Sequence, residues 1–233
     1  MSKYNFSSEQ KNYYDFTSDR ANIFIMVIDK SGSMDINIQG VRDGIQMFQK
    51  SFENFSDINT IAVSISYFDD KFHKTDFKHI SNLDTSYSAH GWTAMYDAIV
   101  EGAEYLNAYV AEVSERTGLE KINVTFIVFA DGETNSDEKA DESDARKTIK
   151  ALNYAGYTTV FVAFGEAITS EIGEELGFQS TLDVKNRNTL VNFLGVKLSQ
   201  SVKEQSKSIK PLGSNFFSAA ADKGNSEGYS QTT

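Results

Sequence analysis

The chain has 233 residues, of which 40% are hydrophobic, so it is long enough to bury a sizeable core within one domain. Its 33 acidic and 22 basic residues give a net charge of −11, which disfavours a nucleic acid or an anionic membrane surface as the main partner. The absence of cysteine excludes disulfides, thiolate zinc sites and cysteine nucleophiles. No secretory signal or membrane-spanning stretch is recognisable, so a cytoplasmic location is expected.

Composition divides the chain into three regions. Residues 1–19 are rich in Ser, Asn, Lys and Tyr without a clear period, which indicates a flexible or loosely docked N-terminal arm. Residues 20–208 alternate apolar and amphipathic segments and are predicted to form one folded domain. Residues 209–233 contain the only proline within a Gly-, Ser-, Asn- and Ala-rich stretch, which predicts a disordered C-terminal tail.

The first half of the folded region alternates buried strands with amphipathic helices. Continuous apolar runs indicate buried strands, and apolar residues at intervals of three and four indicate helices. The predicted elements are a strand at Ile23–Ile28, a helix at Ile38–Asn54, a strand at Ile61–Phe68, a short antiparallel partner strand at Lys71–Phe77, and a long helix from Met95 to a C-cap at Gly118.

The second half continues the same alternation. Its predicted elements are a strand at Ile122–Ala130, a helix opened by a capping box of Asn135 and Glu138 and ending at Gly156, a strand at Thr158–Phe164, a short helix at Thr169–Leu176, a last edge strand at Thr181–Val184 and a helix carrying Leu190 to Val202. The order predicts an α/β fold, a Rossmann-like three-layer α/β/α sandwich with a mostly parallel central sheet and one antiparallel edge strand.

A polar loop follows the first strand abruptly. Asp29, Ser31 and Ser33 alternate along it, so an extended loop turns all three side chains toward one point, and Gly32 supplies backbone freedom. Ligands of open α/β sheets bind beyond the carboxyl ends of the strands. These hard oxygen donors suit Mg²⁺, Mn²⁺ or Ca²⁺ and not zinc. Taken alone, the same residues are equally consistent with an ordinary turn.

Two further loops reach the same predicted edge of the sheet. Thr93 stands where the long helix begins, and Asp131 follows the strand Ile122–Ala130. Singly, the threonine is explained as an N-cap and the aspartate, before Gly132, as part of a turn. With the first loop they supply two carboxylates and three hydroxyls, which fill five places of an octahedron and leave one open.

The three loops together resemble a von Willebrand factor type A domain. The resemblance rests on Asp-x-Ser-x-Ser, Gly-x-Thr-Ala-x-Tyr-Asp-Ala and strand-Asp-Gly-Glu, and it extends over about Ala21 to Lys207. The bacterial stand-alone members associated with tellurite resistance and stress response are the most similar, although they commonly have Gly where Trp92 stands. The resemblance implies a metal-ion-dependent adhesion site formed by Asp29, Ser31, Ser33, Thr93 and Asp131.

The implied function is metal-dependent protein binding. An ion held by these residues, expected to be Mg²⁺ with Mn²⁺ or Ca²⁺ as alternatives, would take an Asp or Glu side chain of a partner protein at its open position. An adaptor in a bacterial stress-response or defence system is expected. Trp92, His90 and Glu133 are expected on the partner-binding rim, although Trp92 packed beneath the loop is an equal alternative.

Two other functions compete with this interpretation. The first is a structural or assembly subunit of a phage or multiprotein complex, which the sequence does not rank far below an adaptor; the oligomeric state stays open. The second is a metal-dependent, phosphatase-like hydrolase. Haloacid-dehalogenase-like enzymes need a second acid where Ser31 stands, and the chain lacks a nucleophile elbow, a P-loop and a dinucleotide-binding fingerprint. The sequence therefore predicts no enzymatic activity.

Overall fold

A computed structural model describes residues 4, 12–16, 19–132, 134–165, 169–208, 210–218 and 229–230. The strands are β1 Arg20–Asp29, β2 Ile61–Phe68, β3 Phe72–His73, β4 Lys78–His79, β5 Lys121–Ala130, β6 Thr158–Phe164, β7 Ser180–Val184 and β8 Tyr229–Ser230. The helices are α1 Ile38–Lys50, α2 Met95–Thr117, α3 Glu142–Tyr154, α4 Ser170–Leu176, α5 Arg187–Asn192 and α6 Ser199–Lys207, with a π-helical turn at Phe193–Leu198 joining the last two.

The strands form one sheet in the order β3-β2-β1-β5-β6-β7-β8, with β4 also paired to β2. The five long strands are parallel, and the two-residue strands β3, β4 and β8 are antiparallel. Helices cover both faces, so the predicted three-layer fold with a mostly parallel sheet is confirmed. The predicted partner strand Lys71–Phe77 is replaced by β3 and β4 on either side of a short excursion.

The central strand β1 explains why the sheet is buried on both faces. Ile23, Ile25 and Val27 belong to the apolar cluster beneath α2 and α3. Phe24 and Met26, pointing the other way, belong to the cluster beneath α1 and the C-terminal helices. Alternate residues of a strand face opposite sides, so a continuous apolar run is what a strand between two helical layers requires.

The parallel register gathers the strand ends at one edge of the sheet. Asp29 pairs with Phe68 of β2, and Ile28 pairs with Phe129 of β5. The residues that follow these strands therefore emerge side by side. This edge carries the loops that the sequence singles out.

The start of α3 differs from the prediction. The helix begins at Glu142 rather than after Asn135, and its capping box is made by Asp141 and Asp144, which exchange side-chain-to-backbone hydrogen bonds. The predicted box of Asn135 and Glu138 is wrong because the Asn135 amide oxygen accepts a hydrogen bond from the Thr93 N–H instead. The Asn135 side chain thus makes a tertiary hydrogen bond and does not cap a helix.

The described residues of the N-terminal arm pack against the domain. The Tyr13 N–H donates to the Phe77 carbonyl at 2.7 Å, and the Phe77 N–H donates to Asn12 Oδ1 at 2.7 Å. The Tyr109 hydroxyl of α2 donates to the Tyr13 carbonyl, and the Tyr14 and Tyr109 rings lie 5.6 Å apart. For this part of the arm the structure shows specific docking; residues 1–3, 5–11 and 17–18 lie outside the described residues.

The chain beyond α6 also departs in part from the prediction of a disordered tail. Phe216 and Phe217 are fully buried in the cluster beneath the C-terminal helices. The backbone of Tyr229–Ser230 pairs with β7, so the predicted edge strand Thr181–Val184 gains a neighbour. Buried aromatic side chains explain why residues 210–218 follow the domain surface; residues 209, 219–228 and 231–233 lie outside the described residues.

Within the described residues, no helix is both long enough and apolar enough to span a membrane.

A close contact between α1 and the C-terminal helices depends on glycine. A Cβ added at Gly44 would lie 2.9 Å from Leu194 Cβ and 2.5 Å from Leu194 Cδ1. Such distances force the two helices apart, whereas the glycine allows them to touch. Gly195 makes the reciprocal contact, because a Cβ there would lie 2.5 Å from Met47 Cβ.

We expect Gly44→Ala to lower the free energy of unfolding by about 1 kcal/mol, since overpacking of about 1–3 kcal/mol outweighs a helix-propensity gain of about 1 kcal/mol. Urea denaturation measures the change. In a Leu194→Ala background the contacts with Leu194 Cδ1 and Cγ are removed and only the contact with Cβ at 2.9 Å remains, so the same substitution should cost less. Equal costs in both backgrounds would contradict the proposed contact.

Candidate metal centre

Asp29 is the last residue of β1 and is 0% exposed. Its Oδ1 accepts a hydrogen bond from the Ser31 N–H at 2.7 Å, which turns the following loop back over the carboxylate. Its Oδ2 is buried and has no hydrogen-bond partner. Burying a carboxylate oxygen without a partner costs free energy. The arrangement therefore indicates a missing partner for Oδ2, and a bound cation would be such a partner.

The hydroxyls of the first loop extend this cluster to Asp131. Ser31 Oγ lies 3.0 Å from Ser33 Oγ, and the Ser33 hydroxyl donates to Asp131 Oδ1 at 2.8 Å. Asp131 follows β5 directly and is mostly buried. Four of the five predicted ligands, Asp29, Ser31, Ser33 and Asp131, therefore form one chain of short contacts.

Burial dominates the electrostatics of the two acids. It raises the pKa of Asp29 to about 7; the Ser31 hydrogen bond opposes the rise and the nearby Asp131 carboxylate adds to it. Burial also raises the pKa of Asp131, against the hydrogen bond from Ser33. Two carboxylates in a common low-dielectric site do not both ionise easily, and here the Asp131 carboxylate disfavours ionisation of Asp29. A divalent cation reverses that preference.

Thr93, the fifth predicted ligand, is held by the loop that follows Asp131. The Thr93 N–H donates to Asn135 Oδ1 at 2.9 Å, and its carbonyl accepts from the Asn135 and Ser136 N–H groups at 2.8 and 3.2 Å. The Thr134 hydroxyl also donates to this carbonyl, at 3.0 Å. The Thr93 side chain is buried. The backbone that carries this hydroxyl is thus fixed from the Asp131 side of the site.

Asp97, in the first turn of α2, anchors the same loop; it is the Asp of the motif Gly-x-Thr-Ala-x-Tyr-Asp-Ala, to which the sequence alone assigns no role. Its Oδ1 accepts from the N–H groups of Lys139 and Ala140 at 3.0 and 2.7 Å, and its Oδ2 accepts from Glu138 N–H at 3.1 Å. The carboxylate is buried. From the sequence alone, an acid at the start of a helix indicates only a favourable interaction with the helix dipole. The backbone partners of Asp97 lie about 40 residues further along the chain, so no local pattern predicts them.

A second unpredicted support is Tyr87. Its hydroxyl donates to the Asp29 carbonyl at 2.6 Å, and the Arg42 guanidinium holds the Tyr87 carbonyl through Nη2 at 2.6 Å. Burial raises the pKa of the Tyr87 hydroxyl, which therefore stays protonated and remains a donor. This contact fixes the backbone of the residue whose carboxylate is at the centre of the site.

Asp69, after β2, gathers the basic groups beside the site. Its carboxylate lies 3.1 Å from Lys30 Nζ, 2.7 Å from His73 Nε2 and 3.4 Å from His90 Nε2. Burial raises the pKa of Asp69, but the hydrogen bonds from His73 and Lys30 outweigh burial and hold the pKa at about 2. The Lys30 charge is therefore balanced locally. The Asp69 carbonyl also accepts from the Ala94 N–H at 2.7 Å.

The predicted rim is exposed where the structure describes it. The Trp92 side chain is 67% exposed, so the alternative of a tryptophan packed beneath the loop is not what the structure shows. His90 is also exposed and makes the contact with Asp69 described above. Glu133 lies outside the described residues.

The donor set fits a hard divalent cation. All five predicted ligands offer oxygen, and Asp29 Oδ2 is an orphaned acceptor. No group of three or more His, Cys, Asp and Glu suited to a metal occurs within the described residues. The predicted set of two carboxylates and three hydroxyls is a different kind of site, and it differs from the His and Cys ligands typical of zinc. The role of the five residues as ligands stays a prediction.

The fold is shared with solved structures at low sequence identity. The pilus adhesin SpaC from Lactobacillus rhamnosus GG has a TM-score of 0.63 at 14% identity, with 84% of this chain and 31% of SpaC covered. Proximal thread matrix protein 1 of the mussel byssus, with zinc in its MIDAS motif, has a TM-score of 0.54 at 15% identity, covering 80% and 46%. Manganese-loaded TRAP from Plasmodium vivax has a TM-score of 0.51 at 13% identity, covering 75% and 72%.

This chain therefore spans about a third of SpaC and about half of the byssus protein. No curated protein matches the chain. Residues 24–195, well over half of the sequence, match the family model of the von Willebrand factor type A domain, whose members are typically metal-dependent, non-enzymatic binding modules. The chain belongs to the von Willebrand factor type A family.

Proposed function

We propose that this protein binds a partner protein through a divalent cation, Mg²⁺ in the first instance, held by Asp29, Ser31, Ser33, Thr93 and Asp131. The observation that carries the proposal is the buried, unpartnered Oδ2 of Asp29 at the end of a chain of hydroxyl and carboxylate contacts. Structural relatives that contain zinc or manganese support a divalent ion.

The ion would supply an electrophilic centre that takes an anionic oxygen from outside the chain. Two carboxylates balance a divalent charge without excess, and the hydroxyls add no charge, so the bound ion remains attractive to a third carboxylate. An Asp or Glu side chain of a partner protein is the ligand of that kind. In this proposal the residues of the chain hold and orient the ion, and none of them acts as an acid, base or nucleophile.

The proposal includes the finer expectations from the motif resemblance. We assign the protein to a cytoplasmic adaptor role in a bacterial stress-response or defence system, similar to stand-alone members associated with tellurite resistance. The rim of Trp92, His90 and Glu133 is proposed to contact the partner around the ion. The exposure of Trp92 supports the rim assignment.

Asp29→Ala should weaken Mn²⁺ binding by at least about tenfold, because even residues that only support metal ligands change affinity by about 10–100-fold. Electron paramagnetic resonance of free Mn²⁺ measures this directly. Asp35→Ala is the matched control, since it removes an exposed carboxylate from the same loop. Equal affinities for both variants would contradict the assignment of Asp29.

Capture of a partner protein should require the bound metal ion. Pull-down with the wild-type chain in Mg²⁺ is expected to retain proteins that are lost in chelator and lost with Asp29→Ala. Undiminished capture in excess chelator would contradict a metal-dependent function. Melting curves of both proteins establish that the variant is folded.

The affinity for Mg²⁺ should rise roughly tenfold from about pH 6 to about pH 8, because a group with a pKa near 7 goes from about one tenth to about nine tenths ionised. The pKa of Asp29 is about 7 in the metal-free protein, so protons compete with the ion for this carboxylate. Calorimetric titration with Mg²⁺ across this range measures the effect. An affinity independent of pH would contradict it.

The stability of the metal-free protein should fall as the pH rises, whereas the affinity for Mg²⁺ rises. The pKa of Asp29 lies above the value of about 3.9 for an unfolded aspartate, so the folded protein binds more protons between about pH 4 and 7 and loses stability as the pH rises through that range. Asp29→Asn removes this contribution. In chelator, the wild-type melting temperature should therefore fall relative to that of the variant. A relative rise would be the contrary result.

Tyr87→Phe should weaken Mg²⁺ binding several-fold, because loss of the hydrogen bond to the Asp29 carbonyl loosens the backbone of a predicted ligand. Tyr67→Phe is a close control. The Tyr67 ring lies 5.6 Å from the Tyr87 ring, but its hydroxyl donates to the Ser86 carbonyl. Calorimetry should separate the two variants, and equal losses of affinity would show a general packing effect instead.

A further inference from the structure

Two large apolar side chains are exposed beside the proposed metal centre. Within the described residues, the exposed large apolar side chains are Ile36, Met47, Trp92, Tyr154 and Val196. Ile36, 81% exposed, lies three residues after Ser33, and Trp92, 67% exposed, directly precedes Thr93. Two of these five side chains thus stand on the loops that carry predicted ligands.

Packing of the domain does not account for the apolar character of Ile36. It lies in the 3₁₀ turn Gly32–Asn37, and this turn buries Met34 and Asn37 while directing Ile36 outward. A polar residue would serve equally well at such a position. An exposed apolar side chain next to a ligand site is better explained by a contact with a partner.

The two loops are held side by side by their backbones. The Gly32 N–H donates to the Gly91 carbonyl at 3.1 Å, and the His90 N–H donates to the Lys30 carbonyl at 2.8 Å. Gly91 has φ +82°, and a Cβ there would lie 2.9 Å from Asp70 Oδ1. The loop that presents Trp92 is therefore fixed against the loop that leads to Ile36.

The charges around these two side chains are unfavourable for a strongly acidic partner. Asp35, next to Ile36, and Asp70, against Gly91, are both exposed. Lys30 lies in the first loop, and its charge is balanced by Asp69 at 3.1 Å. Beyond the ion itself, this surface offers apolar contact and repels additional negative charge.

We infer that the partner presents one acidic side chain between apolar residues, in a segment with few other charges. The carboxylate would bind the ion, and its apolar neighbours would cover Ile36 and Trp92. This inference rests on the proposed function and narrows the partner to an apolar–acid–apolar segment. An acid-rich segment is the excluded alternative.

A displayed peptide library tests this sequence preference. The library has a fixed central Glu with four random residues on each side, and it is selected on the full-length protein in Mg²⁺ and eluted with chelator. Leu, Ile, Val, Phe or Trp should be enriched within two positions of the Glu, and Asp and Glu should be depleted. Polar or acidic flanks would overturn the inference.

Point variants test the two residues with the best peptide from that selection. Ile36→Ser and Trp92→Ser should each weaken its binding by about tenfold, whereas Tyr154→Ser, which removes a ring on α3 that is 95% exposed, should not. Mn²⁺ affinity should stay within about twofold for all three variants, which shows that the metal centre is intact. Unchanged peptide affinity for both Ile36→Ser and Trp92→Ser would overturn the inference.

The outcomes separate the two levels of the proposal. If chelator elutes no peptides, metal-dependent capture fails, and this inference fails with it. If chelator elutes peptides with polar or acidic flanks, the proposed function stands and only the apolar partner is excluded.

Discussion

A carboxylate without exposed surface, at the end of the central strand, is the constraint around which this edge of the molecule is built. Asp29 has one oxygen satisfied by the Ser31 N–H and one without a partner. The cost of burying such a group is high unless an opposite charge is supplied. The second acid close by increases that cost in the metal-free protein, the hydroxyls between the two acids offset part of it, and a bound cation would relieve it. The site is thus strained electrostatically rather than in its backbone.

The loops that hold this charge are fixed mainly by contacts between side chains and backbone groups. The Asp97 carboxylate accepts hydrogen bonds from the N–H groups of residues 138–140. The Asn135 and Thr134 side chains bind the backbone of Thr93, and the Tyr87 hydroxyl donates to the Asp29 carbonyl. Each of these supports joins segments that are distant in sequence. Polar loops at a sheet edge have little apolar area to bury, so hydrogen bonds with buried partners provide the order that a hydrophobic core provides elsewhere. The precision of the candidate site therefore depends on residues that would not themselves touch an ion.

The sequence was sufficient to predict the central strands, the layer architecture and the convergence of three loops, because continuous apolar runs and the parallel topology leave few alternatives. It was insufficient for the supports. Asn135 matched a capping-box pattern, but its amide serves Thr93, and α3 begins at Glu142. The acceptor role of Asp97 depends on a loop some 40 residues away, which no local pattern reports. The burial of Phe216 and Phe217 was likewise missed, since a Gly- and Ser-rich composition outweighed two aromatic residues whose contacts are all long-range.

The adjacent residues Gly91 and Trp92 differ in how strongly the fold constrains them, and this difference has an evolutionary consequence. Gly91 is confined by a positive φ and by the crowding of Asp69 and Asp70, so almost any side chain there is strained. Its neighbour Trp92 is largely in solvent, and the fold places no demand on its identity. Among descendants of this protein, substitution of Trp92 can therefore change which partner is recognised, while Gly91 stays constant. With the proposed function, the same division would let new partner preferences arise without changes to the proposed ion site.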